Sequence, residues 1–317
     1  MTIPNDLDPQ IQEMLKLMAD LNIPKIQDLE PEAARMLVEA MADKRRESYP
    51  SPEVADVVDT TTGPDAGDIP IRIYRASADG VQPGLVFFHG GGHVISSLNG
   101  HDTMARFMCR TTGCTVVSID YRMGPEDPFP AAVEDAYQAA VWVASEAETL
   151  QIDPMRIALT GDSAGGNLAT VVALMARDAG QEFFSAQVLV YPVTDYRGGR
   201  SSHERYGVGY GILEDETVSW FRDHYLARAE DVEDWRCSPL LASSLAGLPP
   251  ALVITAECDV LKDEGVAYYE RLKADGVAAE YIDYPGMIHG FFGYLGQTDM
   301  AEQAHQDVAA YLQRLWK

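Results

Sequence analysis

Hydrophobic and polar positions along the chain obey two periods in succession. Near the start, Ile11, Met14, Leu15, Met18 and Leu21 recur at helical spacing behind Asp8 and Pro9, a capping residue followed by the imino acid favoured at the first helical position. A second helical pattern begins near Pro31 and carries Met36, Leu37, Ala40 and Met41 before the basic run DKRRE. Both predict amphipathic helices resting on another body. After SYPSPE the period shortens: VADVVDTT and IPIRIYRA alternate, and the apolar runs GLVFFHG, CTVVSIDY, RIALTGD, AQVLVYP and ALVITAE follow, with AEYIDYP last. Helical patterns at roughly 100–112, 130–148, 164–180, 262–275 and 300–316 separate the later runs. Short apolar strands alternating with helices predict a mostly parallel sheet of eight strands, antiparallel at its start and covered on both faces.

One stretch breaks the alternation. About fifty residues lie between YPVTD and LPPALVITAE, including the helical LEDETVSWFRDHYLA; this far exceeds an ordinary connection. It predicts a helical cap inserted over the carboxyl ends of the strands.

Composition narrows the function. The chain has 317 residues, 46% of them hydrophobic, and a formal charge of −25. Such an acidic surface excludes binding to a phosphate backbone or an anionic membrane surface, both of which need basic patches. Only six of the 24 basic residues are lysines, a balance that would suit a salty medium. No run of ~18 apolar residues and no basic-then-apolar leader is present, so a cytoplasmic protein without membrane insertion is expected. Cys109, Cys114, Cys237 and Cys258 form neither a CxxC pair nor a cluster with histidines, which predicts buried free thiols and no metal site.

The candidate chemistry begins at LTGDSAGGNLAT, where Gly161, Asp162, Ser163, Ala164 and Gly165 fit GxSxG between an apolar strand and a helix. A turn this tight strains the serine backbone, and glycines flank it because side chains there would clash. The hydroxyl then stands at the top of the sheet, near helix amides that favour negative charge. A serine nucleophile needs a base and a carboxylate that orients the base. In this topology they follow in the order acid, then histidine. Asp259, after ALVITAE, and His289, after AEYIDYPGMI, fit that order. Glu257 and Asp263 compete with Asp259, although Asp263 reads as part of the next helix's first turn. His305 reads as a solvated position of the last helix. HGGGH at 89–93 follows GLVFF directly; Gly90 and Gly91, with the amide of Ala164, are the expected oxyanion hole.

The blocks HGGGHVISS, DYRMGPEDPFPAAVEDA, GDSAGGNLA, YPVTD, ECDVLKDEG and HGF together resemble the hormone-sensitive-lipase-like carboxylesterases, bacterial family IV, in the GDSAG form. The likeness runs from about Leu85 to the C-terminus. It implies the α/β-hydrolase fold with residues 1–48 and 195–240 as cap and 49–194 with 241–317 as catalytic core. It also implies a triad of Ser163, Asp259 and His289, small-molecule esters with acyl groups from acetyl to octanoyl as substrates, no cofactor, and a homodimer through the last strand and helix. Three positions depart from the family pattern. His93 stands where an aromatic residue is usual and would make the pocket wall more polar or face solvent, Asp127 replaces a histidine, and Val260 replaces a proline. Asp162 and Glu126 are candidates for electrostatic tuning of the site or for structural hydrogen bonds. A ligand-binding receptor on the same fold and hydrolysis of amides or lactones are the rival readings.

Overall fold

Each alternating or apolar run after SYPSPE becomes a strand. The structure, a computed structural model, describes residues 3–317. The strands are β1 (Asp56–Thr61), β2 (Pro70–Arg75), β3 (Gln82–Phe88), β4 (Thr115–Ile119), β5 (Ile152–Asp162), β6 (Ala186–Val190), β7 (Ala251–Cys258) and β8 (Ala279–Ile288). They form one sheet in the order β1-β2-β4-β3-β5-β6-β7-β8. β1 and β2, and β2 and β4, pair antiparallel; the remaining pairs are parallel. β5 starts at Ile152, earlier than the RIAL run announces, and an irregular register between Gln82 and Gly84 absorbs the extra length.

Side-chain alternation divides the core between the two faces of the sheet. On β3, Leu85 and Phe87 face one cluster, while Val86 and Phe88 face the other. On the first face lie α1 (Pro9–Asp20), α3 (Asp102–Thr112) and α9 (Asp299–Leu315); on the second lie α4 (Ala131–Ser145), α5 (Ala164–Asp178) and α8 (Lys262–Ala274). Burying one such phenylalanine stabilises the fold by about 1.5–3 kcal/mol. α5 is buried almost all round, from Ala164 through Leu174, so it can hold its N-terminus against the sheet as a rigid strut.

α1 is capped as its sequence predicts, Asp8 Oδ1 accepting from the Gln10 N–H at 2.8 Å. Ile11, Met14 and Leu15 are buried, but Leu21 lies beyond the last turn and is 72% exposed. The helix expected near Pro31 is α2 (Pro31–Ser48), with a different inner face. Met36 is 69% exposed, and the residues turned inward are Pro31, Ala34 and Ala42. Small residues let this helix lie close to its support, which overrides the larger side chains of the expected stripe.

Between β6 and β7 the chain forms α6 (Ser201–Tyr206) and α7 (Asp215–Tyr225). These pack against the N-terminal segment. Lys25 donates to Glu214 at 2.8 Å, Thr217 to Gln27 at 2.9 Å, and the Trp220 indole to the Leu29 carbonyl at 3.2 Å. Among the described residues no helix is long and apolar enough to cross a membrane.

Candidate active site

The turn from β5 into α5 forces Ser163 to φ 56°, ψ −118°, a region that a non-glycine residue enters only under strain. The surroundings hold it there. The Ser163 N–H donates to Val190 O at 2.8 Å, and its carbonyl accepts from Asn167 N and Val193 N at 3.1 and 3.2 Å. A Cβ on Gly161 would collide with the Gly165 backbone, and one on Gly165 with the Phe88 carbonyl. Glycine is therefore demanded at both flanks by backbone packing.

The two later strands deliver the partners. Asp259 leaves β7 and is 1% exposed; His289 leaves β8. His289 Nδ1 lies 2.7 Å from Asp259 Oδ2, and its Nε2 lies 2.9 Å from Ser163 Oγ. For Nδ1–H to donate to the carboxylate, Nε2 must carry the lone pair, and it can then accept the serine proton. Asp259 is fixed in turn by the Leu261 N–H at 2.9 Å. The competing carboxylates are engaged elsewhere. Glu257 accepts from Gly286 N, and Asp263, in the first turn of α8, accepts from Ser202 N and Arg205.

The glycine loop corrects one expectation. The Gly90 N–H donates to Asp162 Oδ1 at 2.9 Å, so Gly90 has no free amide to offer an oxyanion. Among the described residues no acceptor meets the N–H of Gly91, Gly92 or Ala164. Three consecutive carbonyls of the loop are held from behind. Tyr121 O–H donates to His89 O at 2.6 Å, His89 Nδ1 contacts Gly90 O at 2.7 Å, and Gly91 O accepts from Val94 N and Ile95 N, both at 3.0 Å. In a trans peptide the N–H points away from its carbonyl. Pinning the Gly90 and Gly91 carbonyls therefore aims the Gly91 and Gly92 amides the other way.

Asp162, beside the serine, also lies 3.3 Å from His101 Nε2. Burial pushes its carboxyl up, but the charge and hydrogen bond of His101 and the Gly90 amide outweigh that and hold it below the ordinary range. His101 is steadied by Ser96 Oγ at 2.8 Å. Burial, with His101 nearby, lowers His89 to about 4. It is neutral near pH 7 and free to donate through Nδ1.

Two histidines correct expectations, and one tyrosine beside His289 was not anticipated. His93 neither faces solvent nor makes a polar pocket wall. It is fully buried, 2.9 Å from the Tyr196 hydroxyl and stacked on Tyr225 at 4.0 Å between ring centres, and burial followed by the neighbouring His89 lowers it to about 3. His305 is also buried, contrary to the solvated position expected of it. Its Nε2 meets Phe292 O at 3.1 Å, and burial lowers it to about 3. Tyr191, whose ring centre lies 4.7 Å from that of His289, had no signal beyond its place in YPVTD. The cysteines are free and buried. Glu126 is exposed and pairs with Arg35, while Asp127 lies 3.7 Å from Arg122.

A strained serine, an imidazole and a buried carboxylate at the strand ends of such a sheet define an α/β-hydrolase. A family model for that fold matches residues 85–293. The chain is 41% identical over 295 residues to the carboxylic ester hydrolase LipN of Mycobacterium tuberculosis, covering 90% of this chain and 77% of that one. It is 42% identical over 233 residues to ethyl acetate hydrolase of Pseudomonas putida, covering 72% of each. A hyperthermophilic esterase from the archaeon Pyrobaculum calidifontis superposes with a TM-score of 0.93 at 39% identity, covering 98% of both chains. The chain belongs to the α/β-hydrolase-fold family, among its hormone-sensitive-lipase-like carboxylesterases, and is a carboxylic ester hydrolase.

Proposed function

We propose that the chain hydrolyses short- to medium-chain acyl esters through an acyl-enzyme on Ser163. His289, oriented by Asp259, takes the Ser163 proton as Oγ attacks the ester carbonyl carbon. The resulting oxyanion accepts from the amides of Gly91, Gly92 and Ala164. As the carbonyl re-forms, the C–O bond to the alcohol breaks and His289 gives that alcohol its proton. Water then repeats the sequence: His289 takes its proton, hydroxide adds to the acyl carbon, and Ser163 leaves with the proton returned by His289. The observation that carries this reading is the unbroken line Asp259–His289–Ser163 at 2.7 and 2.9 Å.

The N-terminal helices and the segment holding α6 and α7 form the cap over this site in the same reading. Ile212 and Gly211 of that segment adjoin Gly290 and Ile288 beside His289, so bulk there limits the acyl chain. A series of p-nitrophenyl esters from acetate to palmitate tests both parts. Activity should be highest below decanoate, and Ser163→Ala should lower kcat by about 10⁴-fold or more. A Ser163→Ala enzyme that keeps most of its turnover refutes the mechanism; a maximum at palmitate refutes the short-chain preference. β8 is the sheet's last strand, and a homodimer would use it with α9, which sedimentation measures directly.

A further inference from the structure

Arg35 sits on α2, outside the sheet and far in sequence from every motif of the site. Its guanidinium nevertheless reaches the glycine loop. Nε donates to the Val94 carbonyl at 2.7 Å and Nη2 to the Gly124 carbonyl at 2.7 Å. The remaining N–H groups hold Glu126 in a fork at 2.9 and 2.7 Å. Gly124 N–H in turn donates to His93 O at 2.9 Å. Two consecutive carbonyls of the loop, His93 and Val94, are thus fixed to one guanidinium, the first through Gly124 and the second directly.

Val94 is the residue whose N–H, with that of Ile95, anchors the Gly91 carbonyl. The Gly91–Gly92 peptide carries that carbonyl on one side and the Gly92 N–H on the other. A grip on Val94 O is therefore a grip on the direction of the Gly92 amide. α7 bears on the same peptide, since a Cβ on Gly92 would collide with the Phe221 ring.

We infer that Arg35 is a positioning residue for ester hydrolysis: through Val94 and Gly124 it holds the Gly92 amide toward the developing oxyanion, making α2 part of the hole's support. This rests on the serine-esterase reading above. The ion pair with Glu126, whose side chain is 59% exposed, contributes little by itself. Directionality is what matters, because a planar fork reaches both carbonyls and the carboxylate at once, while a lysine ammonium is a point donor on a flexible stem.

The test compares wild type, Arg35→Ala, Arg35→Lys and Lys25→Ala. Lys25→Ala breaks the Lys25–Glu214 contact between the two outer segments without touching the glycine loop. Complete loss of a hole donor lowers turnover by about 10²- to 10³-fold, so misdirecting one should lower kcat by about tenfold or more. Arg35→Ala is expected to show that loss with KM for p-nitrophenyl butyrate changed less than about twofold, because the ground-state carbonyl gains little from the hole. Phosphonylation of Ser163 by a p-nitrophenyl phosphonate, in which Oγ bonds phosphorus and p-nitrophenolate leaves, should slow in proportion. Added guanidinium chloride at millimolar concentration should restore part of kcat in Arg35→Ala and none in wild type. Arg35→Lys should recover less than half of the loss, and it carries the comparison if Arg35→Ala does not fold. Lys25→Ala should stay within about twofold of wild type in kcat.

Equal kcat and phosphonylation rates in wild type and Arg35→Ala overturn the inference. So does a loss in Arg35→Ala matched by Lys25→Ala, or one confined to KM, because these mark a general loosening of the outer helices. A wild-type enzyme that is not phosphonylated at Ser163 overturns the esterase mechanism itself. The two failures are thereby distinguishable.

Discussion

The serine turn and the glycine loop adjoin at the end of the sheet, Gly165 against His89 and Gly90 against Asp162, yet they are held in opposite ways. The turn is fixed locally. The glycine flanks and the Asn167 N–H lie within a few positions of Ser163, and the backbone of β3 and of Val190 and Val193, in direct contact with the turn, completes the support of its positive φ. The loop is fixed remotely, by Asp162 on β5, Tyr121 after β4, Arg35 on α2 and Tyr225 on α7. In the reading proposed above, the contrast teaches that a nucleophile can be positioned by close backbone packing alone, whereas a set of aimed amides needs side chains gathered from the whole chain.

The sharpest way to break the local side is Gly165→Ala. The added methyl meets the Phe88 and His89 backbone, which has no flexible end to swing aside. Urea titration should show a loss above about 4 kcal/mol, or the protein should not accumulate folded. A variant that folds with near-wild-type stability would mean that the turn is less tightly specified than the loop.

On the remote side, Asp162→Ala removes the acceptor for Gly90 N–H and the partner of His101. We expect kcat to fall by about 10²-fold with Ser163 still in place, while Asp162→Asn, which keeps an acceptor oxygen, loses less. Steady-state kinetics of the two variants checks this. Equal kcat in both and in wild type would leave the loop without need of that support.

The smallest effect concerns pH and three buried histidines, two of them in the glycine loop. His89, His93 and His305 have folded pKa values lowered to about 4, 3 and 3 from 6.5. Their neutral burial contributes stability that is fully present above the unfolded value of 6.5 and is lost as pH falls toward the folded values. Each group steepens the decline by about 1.4 kcal/mol per pH unit in that window. His305→Gln, which can still donate to Phe292 O, should flatten the decline of urea stability between pH 6 and pH 4 by about that amount. An unchanged slope would show that His305 does not titrate with unfolding.

Legibility in the sequence follows the same division. Strands and the turn are encoded by contiguous runs, so period and motif reveal them, and chain order singles out Asp259 and His289, which the fold brings into hydrogen-bond reach of each other and of Ser163. Gly90 was misread because its amide partner, Asp162, is distant in sequence and no spacing announces the bond. α2 was found, but its inward face was misjudged because bulk marked the stripe while small residues made the contact. His305 carried a signal that its residue type concealed. With Ala301, Val308 and Leu312 it lies on one buried stripe of α9, at positions where an aliphatic residue would have been read as core at once. Arg35 had no local signature, since what identifies it is a pair of backbone carbonyls brought within reach only by the fold.

Phe221 against Gly92, and Tyr225 stacked on His93, carry a consequence for anyone reshaping this enzyme. In the reading proposed above, the outer helices cover the site while the sheet carries the nucleophile, so exchanging them for those of a relative is a natural route to new substrate tolerance. Here the exchanged part would also include the buttress of the amides, so a graft chosen only for the size of its pocket would alter the chemistry along with the selectivity. Transplants that carry α2 and α7 together with the loop from His89 to Ile95 form the smallest unit that keeps those contacts native.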